Sequence, residues 1–214
     1  MAAALITLVL LSYLLGSIPT GYLVAKAMGV DIRSVGSGNI GATNVFRILG
    51  KGPGIFVLTA DAVKGALAVL IIAPIPSKPN VWGELLPHLP ALAGICAILG
   101  HNYTCWLNFK GGKGIATTAG VFAALAPAAF GIALAAWLVV FAGSRYVSLA
   151  SIVAAVALPL AVWLTGNSGL LIGVSAALGA MAIYKHKANI ERLLAGTESR
   201  IGAKKTEPTE EKKT

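Results

Sequence analysis

Stretches long and apolar enough to cross a bilayer dominate this chain, at roughly residues 3–25, 54–75, 84–106, 114–142, 147–165 and 168–184. They are rich in Ala, Leu, Val, Ile and Gly without strict alternation, which is the pattern of spanning helices and not of barrel strands. With 57% hydrophobic residues, 12% charged residues and a mean hydropathy of +0.80, a water-soluble domain of 214 residues is excluded. The expected fold class is an all-α integral membrane protein. The first run has no basic residue ahead of it, and Ala25-Lys26-Ala27 matches a signal-peptidase site only in form, so it is read as a retained helix.

The fourth run decides the expected topology. Pro127 lies near its middle with Gly131 after it, so the run can turn near Ala126 to Ala128 and supply two short helices. That gives seven transmembrane helices, with the N-terminus outside and the C-terminus cytoplasmic. Of the 17 Lys and Arg residues, 15 then face the cytoplasm, Lys78 falls outside and Lys64 lies within the second span. The expected organisation is one seven-helix domain over residues 1–200 and a disordered charged tail over 201–214.

The net charge of +9 is scattered through short loops without interleaved aromatics, which argues for anionic lipid and anionic substrate as partners and against nucleic acid. Cys96 and Cys105 are nine residues apart in one apolar run, about 13 Å along a helix, too far for a disulfide. No His/Cys cluster has ligand spacing, so neither a metal nor a cofactor is expected.

Three polar segments interrupt the apolar pattern. In the first, Asp31 to Arg47, Gly36, Gly38 and Gly41 can bring backbone N–H groups onto an anion. Ser37, Asn39, Thr43 and Asn44 add neutral donors there, and Arg47 adds a charged fork. In the second, Gly111, Gly112, Lys113 and Gly114 open a helix, a natural place for phosphate. Leu107 stands where a Walker A loop needs glycine, and Gly114 follows Lys113, so ATP is not implied. In the third, His186 and Asn189 share a helical face beyond the last run, whereas Glu191 lies about 140° away from His186.

Weaker candidates accompany these. Asp61 and Lys64, three apart within the second run, suit either a functional pair or a structural ion pair. Ser148 and Ser151 suit substrate contact or back-bonding to their own helix.

Taken in order, these segments closely resemble the bacterial acyl-phosphate-dependent glycerol-3-phosphate acyltransferases. The match covers Gly16 to Gly21, Asp31 to Arg47, Asp61-x-x-Lys64-Gly65, Gly100-His101, Phe109 to Thr117, and His186-x-x-Asn189-Ile through Glu198. The resemblance implies a seven-helix inner-membrane enzyme with its active site facing the cytoplasm. It implies transfer of a fatty acyl group from acyl phosphate to the 1-hydroxyl of glycerol 3-phosphate, giving lysophosphatidic acid and phosphate. By matching positions, Ser37 and Arg47 belong to the family's first motif, the glycines around Lys113 to its phosphate loop, and His186 and Asn189 to its third. Glu198 matches a position tied to structural integrity. The chain departs at Thr104, where the family usually has Pro, and at Asn108, where it often has Gly. Oligomeric state is not legible in the sequence; a monomer is the default expectation. The rival readings are a transporter of an anionic metabolite and an acyltransferase using another acyl donor.

Overall fold

The computed structural model describes residues 2–74 and 83–202, and every regular element among them is helical. Helices α1 (Ala2–Ser17) and α2 (Thr20–Ala27) are separated at Pro19, which cannot donate to the preceding turn. After the first polar loop come α3 (Ala42–Leu49) and α4 (Lys51–Leu67), divided at Gly50, whose φ of +93° no residue with a Cβ adopts cheaply. A π turn, Ala68–Ile72, continues α4. Then follow α5 (Leu89–Asn102), α6 (Ile115–Leu125), α7 (Pro127–Ser144), α8 (Val147–Leu164), α9 (Gly169–Lys185) and α10 (Lys187–Leu194).

The chain is a multi-span helical membrane protein, but the expected count of seven spans is too high. Among the described residues five stretches are long and apolar enough to cross: Ala2–Ala27, Lys51–Ile72, Leu85–Leu107, Pro127–Ser144 and Val147–Leu164. A sixth arises if α9 and α10, bent by 58° at His186, count as one. The error lies in the run around Pro127. The break does fall there, with Ala126 non-helical and Pro127 opening α7, yet the pieces are 11 and 18 residues long and not two similar halves. At 1.5 Å per residue α6 rises only about 16 Å, roughly half a hydrocarbon core. The orientation with the N-terminus outside was drawn from seven spans and falls with that number. Lys78 and residues 203–214 of the expected tail lie outside the described residues.

Short α6 meets α4 through close backbone contact. A Cβ on Gly120 would stand 1.8 Å from the Ala62 carbonyl oxygen, and one on Gly65 2.2 Å from that of Thr117, so α4 and α6 approach through reciprocal glycine notches. In lipid, where apolar burial gives helices little reason to associate, such close packing is the main adhesive. Beyond it, Phe122, Val121, Leu158, Val162 and Leu178 interlock α6, α8 and α9 in the main buried cluster. Large residues such as Leu138, Val139, Leu160 and Leu164 stay exposed, as helix faces turned to lipid should.

Candidate active site

The first polar loop is shaped by Asn44. Its Oδ1 accepts the Ser37 N–H at 3.0 Å, and its Nδ2 donates to the Ile32 and Val35 carbonyls at 3.2 and 3.1 Å. Buried at 2% exposure, this side chain supplies the pairing that a coiled backbone lacks and has none left for an anion. Asn39 likewise uses its carbonyl on the Gly41 N–H at 2.9 Å. Gly36 and Gly38, with φ of +60° and +67°, make the reversals and do not line the cavity described below. Ser37, Asn39, Gly41, Thr43, Asn44 and Arg47 do line it.

The second loop uses its glycines differently. The Gly111 and Gly112 N–H groups, expected to face phosphate, donate to the Asn102 and His101 carbonyls at 3.2 and 3.0 Å. They dock the loop on the end of α5, and only Lys113 and Gly114 of the cluster reach the cavity. Gly114, φ +80°, precedes the first turn of α6, whose unpaired amides lie beside the lysine. Both family departures fit locally. Asn108 takes the left-handed conformation at φ 51°, which glycine adopts freely and asparagine tolerates. Thr104, at φ −66°, has the torsion of a proline and instead donates to the Ser17 carbonyl at 2.6 Å.

The third segment turns at the α9–α10 bend. His186 ends α9 with Nδ1 2.7 Å from the Ala182 carbonyl oxygen; since a carbonyl only accepts, Nδ1 carries the proton and Nε2 is the basic atom of the neutral ring. Asn189, one turn on, accepts from Lys113 Nζ and donates to Glu198 Oε1 at 2.8 Å. Glu191 is exposed and takes no part.

Glu198 ties the segments together. Besides Asn189 it accepts from Ser148 Oγ at 2.9 Å and from Arg192 Nε at 2.6 Å, and Arg47 Nη2 stands 4.0 Å away. Burial pushes its pKa up, but the hydrogen bonds from Asn189, Arg192 and Ser148 outweigh that and hold the carboxyl below its ordinary value. Arg47 also donates to the Ser199 carbonyl at 3.1 Å, while its buried Nε–H has no partner among the described residues. Lys113 is lowered to about 8, chiefly by burial; Glu198 opposes this and Arg192 and Arg47 add to it.

Residues of all three segments border one cavity of about 300 Å³. Arg47, Lys113, Ser148, His186, Asn189 and Glu198 form its polar end, and Phe122, Phe130, Leu134, Trp137, Leu158 and Leu178 its apolar end. From Ser148 to Leu158 along α8 the wall descends about 15 Å. Such a space fits a molecule with an anionic head and a hydrocarbon tail. Ser151 lines the cavity but is occupied within the protein, donating to the Val147 carbonyl at 2.8 Å and accepting from Trp137 Nε1 at 3.2 Å. Asp61 and Lys64 form a buried ion pair at 2.7 Å. Sequence reasoning assigned no role to His101, which lines the same cavity 3.6 Å from Asp61; the adjacent Gly100-His101 pattern was its only signal.

A family model described as glycerol-3-phosphate acyltransferase matches residues 6–196. The chain belongs to that family. A glycerol-3-phosphate acyltransferase of Geotalea daltonii is 50% identical over 91% of this chain and 96% of its own length. One of Desulforudis audaxviator is 47% identical over 95% and 99%. Two crystal structures of PlsY (YgiH), an integral membrane glycerol 3-phosphate acyltransferase, share the fold. The glycerol 3-phosphate form has a TM-score of 0.83 at 42% identity, covering 92% of this chain and 96% of that one. The lysophosphatidic acid form has a TM-score of 0.80 at 41% identity, covering 92% and 95%. This acyltransferase is accordingly a multi-pass protein of the bacterial inner membrane.

Proposed function

We infer that this acyltransferase moves a fatty acyl group from acyl phosphate to the 1-hydroxyl of glycerol 3-phosphate, giving lysophosphatidic acid and phosphate. The observation that carries this reading is the single cavity joining Arg47, Lys113, His186 and Asn189 to an apolar chamber, in a chain 42% identical to a protein crystallised in a glycerol 3-phosphate form. Both substrates carry phosphate, and only one carries a long tail.

Acyl phosphate is already an activated mixed anhydride, so the protein's task is to orient two anions and neutralise developing charge. The unpartnered Arg47 Nε–H and the Lys113 ammonium take phosphate oxygens, with Ser37 and the first-turn amides of α6 as neutral donors. The acyl chain lies between α6, α7, α8 and α9 along Phe122, Leu134, Trp137 and Leu178. The 1-hydroxyl oxygen attacks the acyl carbon, the bond from that carbon to the phosphate oxygen breaks, and inorganic phosphate leaves.

Two groups compete for the hydroxyl proton: His186 Nε2, left basic by the Nδ1–H bond to Ala182, and an oxygen of the departing phosphate. His186→Gln separates them. Single-turnover chemistry near wild type at saturating substrate would assign the proton to phosphate, and loss of chemistry with binding retained would assign it to His186.

The active site faces the cytoplasm in this reading. Arg47 and Lys113 line the polar end, Arg192 pairs with Glu198 there, and Lys185, Lys187 and Arg200 flank His186 and Glu198 along the chain; a cation-rich face is the cytoplasmic one by the positive-inside rule. Incubating purified protein with glycerol 3-phosphate and acyl phosphate, acyl-CoA or acyl carrier protein in turn tests the reaction. Lysophosphatidic acid should form from acyl phosphate, and its absence there would overturn the assignment.

A further inference from the structure

We propose that His101 and Asp61 are a positioning pair that sets the Lys113 loop against the cavity, a role that rests on reading Lys113 as a phosphate ligand. His101 lies in the last turn of α5 and is buried. One edge of its ring faces α4, with Nδ1 3.6 Å from Asp61 Oδ1. The other edge is covered by Gly112: a Cβ there would stand 2.1 Å from Nε2, and its three nearest atoms would all belong to the His101 ring. The main chain adds a matching bond from the Gly112 N–H to the His101 carbonyl at 3.0 Å. The ring is therefore a spacer between a spanning helix and the peptide that carries Lys113.

Asp61 is itself pinned by two further groups. Lys64 Nζ lies 2.7 Å away and Thr20 Oγ1 donates at 3.2 Å, and Lys64 is fixed in turn by donating to the Ile18 carbonyl at 2.9 Å. A carboxylate within a spanning helix is costly unless paired, so a site that keeps one draws on its geometry. An ion pair that served helix packing alone would have no call to present His101 and Asp61 to the same cavity as Lys113, yet both line it. A charge-assisted hydrogen bond weakens steeply when its distance or angle is lost, so a spacer here has leverage on phosphate binding through Lys113.

Steady-state kinetics of the full-length enzyme in lipid nanodiscs, with acyl phosphate and varied glycerol 3-phosphate, test the pair. His101→Gln and Asp61→Asn should raise KM about tenfold while kcat stays within about threefold. Gly112→Ala should be severely impaired, and His101→Ala should partly rescue it in the double variant, because the added methyl then occupies the space of the ring. Unchanged KM in folded variants, whatever their Tm, would overturn the proposal, as would purely additive effects of His101→Ala and Gly112→Ala. Should Asp61→Asn fail to fold, Thr20→Val removes one hydrogen bond from the same carboxylate and carries the same expectation in smaller degree. A wild-type protein that turned over nothing would overturn the reaction and not the pair, whose coupling to Gly112 is then read from Tm.

Discussion

The two glycine-rich loops look alike in sequence and are built on opposite principles. In residues 31–47 the glycines make reversals, Gly36 and Gly38 at positive φ, and a buried asparagine side chain supplies the pairing the backbone lacks. In residues 109–114 Gly111 and Gly112 make room, letting the peptide lie directly on the carbonyls that end α5. The first loop is a shaped turn that delivers Arg47 from α3; the second is a docked strap that delivers Lys113 to α6. At Gly38 the turn tolerates an added methyl at the cost of strain, whereas at Gly111 the strap meets backbone and cannot.

The sharpest break of that comparison is Gly111→Ala. Its Cβ would stand 2.0 Å from the His101 carbonyl oxygen, a backbone atom that cannot swing aside, so the strap must lift and carry Lys113 with it. Activity should fall by more than about 100-fold with a lowered Tm, measured by lysophosphatidic acid formation and thermal unfolding. An active, normally stable variant would show that the strap is not docked.

Arg47→Lys probes what the first loop delivers. Lysine keeps the charge but loses the planar fork that reaches Ser199 and Glu198 while leaving Nε–H for substrate. A drop of about 100-fold in kcat/KM is expected, about 2.7 kcal/mol of transition-state binding. An effect below about threefold would mean that only the charge matters.

Lys113 distinguishes the loops by pH. The ammonium is the phosphate-binding form, and burial has lowered its pKa to about 8, so the free enzyme loses that form as pH rises through this value. The kcat/KM for glycerol 3-phosphate, which reports the free enzyme, should fall about tenfold per pH unit above the limb. Lys113→Arg, charged throughout, should abolish the limb even where its absolute rate is lower, and a limb that persisted would belong to another group.

Legibility in the sequence follows the same divide. Apolar runs marked the spanning segments because lipid demands continuous helix and leaves a plain compositional trace. The proline break at Ala126 was also readable, but not that it leaves an 11-residue helix, since that helix is secured by Gly120 against Ala62 and by Thr117 against Gly65, across some 55 residues of sequence. Residue chemistry marked Arg47, Lys113, His186 and Asn189, and the fold brings them to one cavity. The partners of backbone amides left no such trace: a Gly-Gly pair reads equally as an anion nest or as a close approach, and only the carbonyls of His101 and Asn102 decide between them. His101 stayed hidden because a histidine inside an apolar run carries no periodic signal of what it faces.

The smallest effect expected is that of Gly38→Ala, and it is the counterpart of Gly111→Ala. At φ +67° an alanine bears the left-handed penalty of about 1–2 kcal/mol, and its Cβ would meet the Arg33 carbonyl oxygen at 3.1 Å, a contact eased by a few tenths of an ångström. For a chain of this size that is about 2–8 °C in Tm, with the fold retained. Gly36→Ala should cost more although its φ is similar, because its Cβ would stand 2.3 Å from Asn44 Oδ1, the atom that anchors the Ser37 N–H. The difference between the two, read as paired unfolding curves, separates strain from steric loss within one turn. Equal losses would mean that Asn44 does not hold the loop, and the contrast with the docked strap would then reduce to a difference in backbone torsion.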